Sequence, residues 1–393
     1  MKISIIIPTR NNLKFLKKCY ESICNEVENY KIEICIADDA STDGTVEWLK
    51  EMGRNADDFK YILNETGTRL GLVILYDKLI KEIASYDICL LFHADMILLP
   101  NALDAIEKHI KPGTVVSLTR VEPDLHPPGP EKVSLQGGPL EPEEMTHDVI
   151  MNIIAHMKQF VGRNTEGVFA PWAIYKQDFL AVDGHDIRFA PQSKEDSDIF
   201  NRLQLNGIKF IQTWDGYVYH FTSRGSRFNE YAGGSAGKDS PEWKYTTHKN
   251  MREFIRKWGT MVMHDEMMKP IIYPKFFRGA RIKNCSYSLL EHLEPWFDFL
   301  YIDNSDTLKS TYVSAEASNT TVNLNSKIGP YGLPIITDIL VDFDADSFTG
   351  MSFQVITQLN DLIKDCVPGT YEIDIFRITI SHLNDSNIKY KTV

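Results

Sequence analysis

The sequence predicts an α/β protein, a doubly wound and mostly parallel sheet followed in the chain by a smaller α/β domain. Three observations predict it. Short, continuous apolar runs rich in β-branched residues alternate with segments of helical spacing between Ile3 and Phe92. Polar or acidic turns follow those runs, at Pro8 to Asn11, Asp38 to Thr45 and His93 to Met96. At 393 residues the chain also exceeds one ordinary core, so two domains are expected.

Taken in order, Ile3 to Ile7 is the first strand, and Leu13, Leu16, Cys19, Tyr20 and Ile23 recur at helical spacing after it. Ile32 to Ala37 is the second strand, followed by a helix carrying Val46, Leu49 and Met52. Phe59 to Leu63, then a helix over Leu72 to Ile83, then Ile88 to Phe92 complete the alternation. Right-handed crossovers put the loops after such strands on one sheet edge, where ligands of open α/β sheets bind. Ala102 to His109 reads as a helix and Val115 to Thr119 as a strand. Glu122 to Glu144 is dense in Pro and Gly and reads as a long irregular loop, either near the acceptor side of a site or a plain surface excursion. Met145 to Val161 suits a helix, Phe169 to Tyr175 and Phe210 to Tyr219 suit strands, and Ser197 to Leu205 suits the helix between them. A loop over Thr222 to Pro241 and a helix over Trp243 to Trp258 close the first domain, expected over residues 1–265. In the second, residues 266–393, Leu289 to Leu300 has helical spacing, and Ile336 to Phe343, Phe353 to Ile363 and Tyr371 to Ile380 read as strand, helix and strand. It has no Gly-rich phosphate loop.

Hydrophobic content of 43% and charged content of 24% are those of a globular chain without a bilayer-spanning run. The formal net charge of -12 argues against nucleic acid or anionic lipid as a non-specific partner. Any anionic ligand must then be held by local cations or a metal. The six cysteines show no paired metal spacing and read as reduced, buried residues, and a cytoplasmic location is the default expectation.

Four constellations can carry chemistry. In the run Asp38 to Gly44 only Ser41 or Asp43 is needed to cap the next helix, and the two adjacent carboxylates Asp38 and Asp39 at a strand end repel unless a hydroxyl or base N–H uses them. His93 and Asp95 offer an imidazole nitrogen and a carboxylate, suited to Mn²⁺ or Mg²⁺ when a diphosphate supplies further ligands; a helix cap is the plainer role for Asp95. Glu195 and Asp196 open a helix, where acidic residues are favoured by the dipole, or Asp196 is a general base. His220, followed by Arg224 and Arg227, is either structural or completes a metal and diphosphate site. Asp342 to Asp346 fails as a calcium loop, because Ser347 and Phe353 stand where Gly and Glu are required.

The run Ile5-Ile6-Ile7-Pro8-Thr9-Arg10-Asn11, the run Asp38-Asp39-Ala40-Ser41-Thr42-Asp43-Gly44-Thr45, Asp95 after an apolar strand, Glu195-Asp196 and His220 stand in the order and rough spacing of one family. From Met1 to about Trp258 the chain resembles the family 2 glycosyltransferases of the GT-A fold. The resemblance implies an inverting transfer from a nucleotide-diphospho-sugar, with a UDP-sugar favoured, to a saccharide or glycoconjugate acceptor. It implies that Pro8, Thr9, Arg10, Asp38 and Asp39 hold the nucleoside, with Arg69 assisting, and that Asp95 and His220 bind the divalent metal. Arg224 and Arg227 would face the diphosphate, Asp196 with Glu195 would form the catalytic pair, and Trp172 and Asp186 would lie near the acceptor. His93 departs from the pattern, standing where the family's Asp-x-Asp motif has its first, sugar-facing Asp. Two rivals remain at this point. A glycan- or partner-binding protein that keeps the fold without catalysis is one. The other is a sugar-nucleotide pyrophosphorylase, suggested by Gly67-Thr68-Arg69-Leu70-Gly71, although there the run follows the first strand and here it follows the third.

Overall fold

The computed structural model describes residues 1–26, 30–54, 58–303, 305–331 and 337–383. They fall into two compact units, one of residues 1–247 with 264–271, the other of residues 248–263 with the described residues from 272 to 383.

The first unit is built on ten strands: β1 (Lys2–Thr9), β2 (Lys31–Asp38), β3 (Phe59–Leu63), β4 (Ile88–Leu91), β5 (Met96–Leu98), β6 (Thr114–Pro123), β7 (Val133–Leu135), β8 (Asn164–Thr165), β9 (Trp172–Tyr175) and β10 (Lys209–His220). Their order is β3-β2-β1-β4-β9-β6-β10-β5, with β7 beside β6 and β8 beside β10. Pairings among β1 to β4 and between β6 and β10 are parallel, whereas β9 runs antiparallel between β4 and β6. Parallel strands are buried on both faces, which is why β1 and β2 read as continuous apolar runs. The helices are α1 (Leu13–Cys24), α2 (Thr45–Met52), α3 (Leu72–Lys78), α4 (Ala102–His109), α5 (His147–Met157), α6 (Lys176–Ala181), α7 (Glu195–Leu205) and α8 (Pro241–Trp258). In α1 the buried residues Phe15, Leu16, Cys19 and Ile23 fall at the spacing of one helical stripe. The boundary between the units falls within α8.

The second unit holds β11 (Arg278–Lys283), β12 (Phe299–Ile302), β13 (Ile328–Pro330), β14 (Ile339–Asp344), β15 (Gly369–Ile373) and β16 (Phe376–Ile380), in the order β13-β12-β11-β14-β16-β15. The first four are parallel and the last two form an antiparallel hairpin. Its helices are α9 (Tyr287–Leu293), α10 (Ser305–Glu316), α11 (Leu324–Lys327), α12 (Gly350–Thr357) and α13 (Leu359–Ile363). No helix among the described residues is long and apolar enough to cross a membrane.

Four segments depart from the sequence reading. The Pro- and Gly-rich stretch begins inside β6, which runs on to Pro123, and contains β7 as an added edge. Met96 to Leu98 is a strand, because it pairs antiparallel with the end of β10. Leu289 to Leu300 divides into the end of α9, a short 3₁₀ turn over Glu294–Trp296 and the start of β12. Tyr371 to Ile380 is two strands, turning at Asp374 with φ of 53°. Ile336 lies outside the described residues.

Candidate active site

The carboxyl ends of the parallel strands deliver the polar residues to one place. β1 ends at Thr9, β4 leads into His93 and Asp95, β6 brings Arg120 and Glu122, and β10 ends at His220. These residues line a cavity of about 200 Å³ together with Arg10, Asp39 and Arg69. Non-glycine residues with left-handed backbones cluster on the loops around it: Asn11 (φ 48°), Ala40 (57°), Ser193 (80°), Lys194 (73°), Thr222 (67°) and Ser223 (56°). Each costs on the order of 1 kcal/mol or more, strain of a kind that gathers where geometry serves a ligand.

At the centre are His93, Asp95 and His220, whose ligand-type atoms lie within 4.8 Å of one another. Asp95 Oδ2 accepts the Arg224 backbone N–H at 2.5 Å, and Oδ1 lies 3.6 Å from His220 Nε2. The other ring nitrogen, Nδ1, is 2.8 Å from Glu122 Oε1, and Glu122 also meets Lys132 at 2.9 Å and Arg120 at 3.5 Å. In the neutral ring, with Nδ1–H donated to Glu122, the Nε2 lone pair would face Asp95 and the cavity. Burial alone would lower the pKa of His220, but Asp95 and Glu122 outweigh it and raise it to about 9. Burial would raise Asp95, yet His220, His93 and the Arg224 N–H hold it well below the ordinary carboxylate range. His93 is lowered by burial, with Asp95 opposing. His93 and His220 meet ring to ring at 5.8 Å.

Of the residues expected at the nucleoside, Pro8, Thr9, Arg10, Asp39 and Arg69 line the cavity, whereas Asp38 does not. Thr9 Oγ1 and Asn12 Nδ2 are buried with no hydrogen-bond partner, so both are available to a ligand. The Asp39 carboxylate accepts from Asn64 Nδ2 (2.8 Å) and the backbone N–H groups of Leu70 (2.8 Å) and Gly71 (2.9 Å), fixing the 64–71 loop. Gly71 has φ of 89°, and a Cβ there would sit 2.2 Å from Pro191 Cα, so only glycine allows that approach. Asp38 Oδ2 accepts from the Ser41 N–H, and burial raises its pKa. Glu242, in the first turn of α8, ion-pairs with both Arg10 and Arg69.

The remaining expected residues spread outward. Asp196 is half-buried at the start of α7, and its charge bears on His93 and on Tyr76, whose hydroxyl donates to the Phe92 carbonyl. Glu195 beside it is buried with Oε2 unpartnered, and burial, then the charge of Asp196, raises its pKa. Asp198 belongs to the fold, paired with Arg202 at 2.8 Å. Trp172 is 1% exposed and packs edge-on to Phe200 at 5.3 Å, in the core away from the cavity. Asp186 accepts from the Arg188 N–H and caps a 3₁₀ turn. The Arg224 guanidinium donates to the carbonyls of Leu140 (2.7 Å) and Phe221 (3.3 Å), and Arg227 pairs with Asp239; neither side chain lines the cavity. Sequence reasoning missed Arg120 and Glu122. Their one signal was the strand Val115 to Thr119 continuing at alternate positions.

A family model described as Glycosyl transferase family 2 matches residues 4–166. The chain is 34% identical over 111 residues to abequosyltransferase RfbV of Salmonella typhimurium, a match covering 28% of this chain and 33% of that protein, so it spans about a third of the relative's length. Among solved structures it is similar to the mannosyltransferase PcManGT from Pyrobaculum calidifontis in complex with GDP-Man and Mn²⁺, at 15% identity and a TM-score of 0.43, covering 83% of this chain and 77% of the other. It is also similar to GalNAc-T7 with UDP, GalNAc and Mn²⁺, at 15% identity and a TM-score of 0.43, covering 56% and 44%. The matched segment runs from within β1 to β8 and contains His93, Asp95 and Glu122, and over these residues the chain is similar to glycosyl transferase family 2.

Proposed function

We propose that the first unit transfers a sugar from a nucleotide-diphospho-sugar, with UDP the favoured nucleotide, to a hydroxyl of a saccharide or glycoconjugate acceptor, inverting the anomeric carbon. The observation that carries this reading is the meeting of His93, Asp95 and His220 within 4.8 Å at the strand ends of a family 2 domain. Their imidazole and carboxylate donors suit Mn²⁺ or Mg²⁺, and the Glu122 contact supplies the tautomer a metal-binding His needs. Such a cation, when bound, stabilises charge growing on a diphosphate leaving group. His220 gives up its proton when Nε2 becomes a ligand.

The chain's own residues supply the rest. Thr9 and Asn12 offer unpartnered polar atoms to the nucleoside, and Arg120 brings positive charge into the cavity of a chain whose net charge is -12. Burial and then the charge of Asp196 push the Glu195 carboxyl up, which favours its protonated form beside Asp196. Asp196 accepts the proton of the acceptor hydroxyl as that oxygen attacks opposite the diphosphate. One in-line displacement inverts the centre. Asp196→Ala is expected to keep nucleotide affinity by calorimetry while release of UDP from a UDP-sugar falls about 10²-fold or more. Unchanged turnover would remove Asp196 from the role of base.

A further inference from the structure

The second unit has its own site geometry. From β11 the chain moves outward to β12 and then β13, and returns to place β14 on the other side of β11. The strand order therefore reverses between β11 and β14. At such a reversal the loops leaving the two strands part and open a crevice at their carboxyl ends. A cavity of about 490 Å³ lies there, between the segment after β11 and the segment after β14.

Its lining selects a ligand class. Among the described residues no Lys or Arg lines the cavity, so a phosphate or nucleotide would find no counter-charge in its wall. Three carboxylates do approach, but Asn284 occupies the space between them. Its backbone N–H donates to Asp303 (3.0 and 2.9 Å), and Nδ2 donates to Asp344 (2.9 Å) and Asp346 (3.0 Å), so amide donors stand where a cation would. Apart from the Asp346 carboxylate, which accepts from Asn284 Nδ2, what faces the space is uncharged and amphipathic. Phe348 and Phe353 are half-buried, held respectively against Phe343 at 5.8 Å and Trp296 at 6.1 Å. His292 Nδ1 donates to the Ser288 carbonyl at 2.6 Å, which leaves Nε2 as an acceptor, and the Ser288 hydroxyl and Asn284 Oδ1 add hydrogen-bonding atoms. Aromatic faces beside scattered hydroxyl, amide and imidazole groups match a pyranose, with its apolar C–H faces and ring of hydroxyls.

We propose that this crevice binds a neutral, unphosphorylated saccharide, making the second unit a glycan-holding module. The site is distinct from the transfer site and needs no metal.

Saturation-transfer NMR on the full chain tests it, with the methyl glycosides of glucose, galactose, mannose, N-acetylglucosamine and rhamnose as probes. At least one is expected to give transfer signals that persist in Asp95→Ala and in the presence of excess UDP with Mn²⁺. The same signals are expected to vanish in Ser288→Trp, an exposed position whose indole would fill the crevice, and to weaken in His292→Ala, with folding checked by thermal melting. If no glycoside gives signals, or if they survive Ser288→Trp in a folded chain, the proposal fails. Signals lost on Asp95→Ala or displaced by UDP would place the sugar in the first unit, overturning the second site while leaving the transfer reading intact.

Discussion

One imidazole, that of His220, stands between two buried carboxylates, Asp95 and Glu122. At the scale of residues this is the feature that separates a ligand site from a capped strand end, since a cap needs one acceptor and no backing carboxylate. Glu122 is 1% exposed and acts only through the ring it orients and the cations it meets. Replacing it with the isosteric Gln should therefore weaken metal binding while keeping the shape of the cavity wall, to which Glu122 contributes. Glu122→Gln is expected to lower Mn²⁺ affinity about 10- to 100-fold, read by calorimetry. An unchanged affinity would make Glu122 a purely structural partner. The residues legible in the sequence were those that ended apolar runs, His93, Asp95 and His220, because a polar side chain at such a place is conspicuous. Glu122 was hidden by the prolines around it, and Trp172 looked available because burial in an antiparallel strand leaves no mark that separates it from an exposed aromatic.

At the scale of elements, the alternating pattern up to Phe92 was legible because parallel strands and amphipathic helices each leave a clean period. The short strands β5 and β7 were not, since each owes its form to a neighbour, β10 or β6, far away in sequence. The 3₁₀ turn after α9 shows the same limit from another side. It carries Glu294, fully buried, which accepts from Arg252, Arg256, Lys327 and Tyr312. Burial alone would raise Glu294, but Lys327 and Arg256 outweigh it and hold it far below the ordinary range. A carboxylate depressed in the folded state adds stability above its unfolded pKa, about 4.3, and that stability is lost as pH falls below this toward the folded value. Glu294→Gln is expected to cost about 3–5 kcal/mol at neutral pH, because it leaves buried cations uncompensated. Scanning calorimetry should find the gap between the two proteins narrowing on acidification below about pH 4. Equal melting temperatures at neutral pH would contradict the assignment.

At the scale of the whole molecule, a chain with a net charge of -12 gathers Arg10, Arg69 and Arg120 around one cavity of its first unit. Glu242 engages Arg10 and Arg69, and Glu122 meets Arg120 at 3.5 Å, so on the proposed reading a cation at the His93, Asp95 and His220 cluster would be the main means of receiving an anionic donor. Metal-dependent nucleotide binding at Asp95 is thus the claim on which the account turns. Calorimetric titration of UDP into the full chain, with and without Mn²⁺ and repeated on Asp95→Ala, tests it directly. Binding is expected to strengthen with Mn²⁺ in the natural chain and to lose that Mn²⁺ dependence in the variant. Metal dependence unaltered by Asp95→Ala would contradict it.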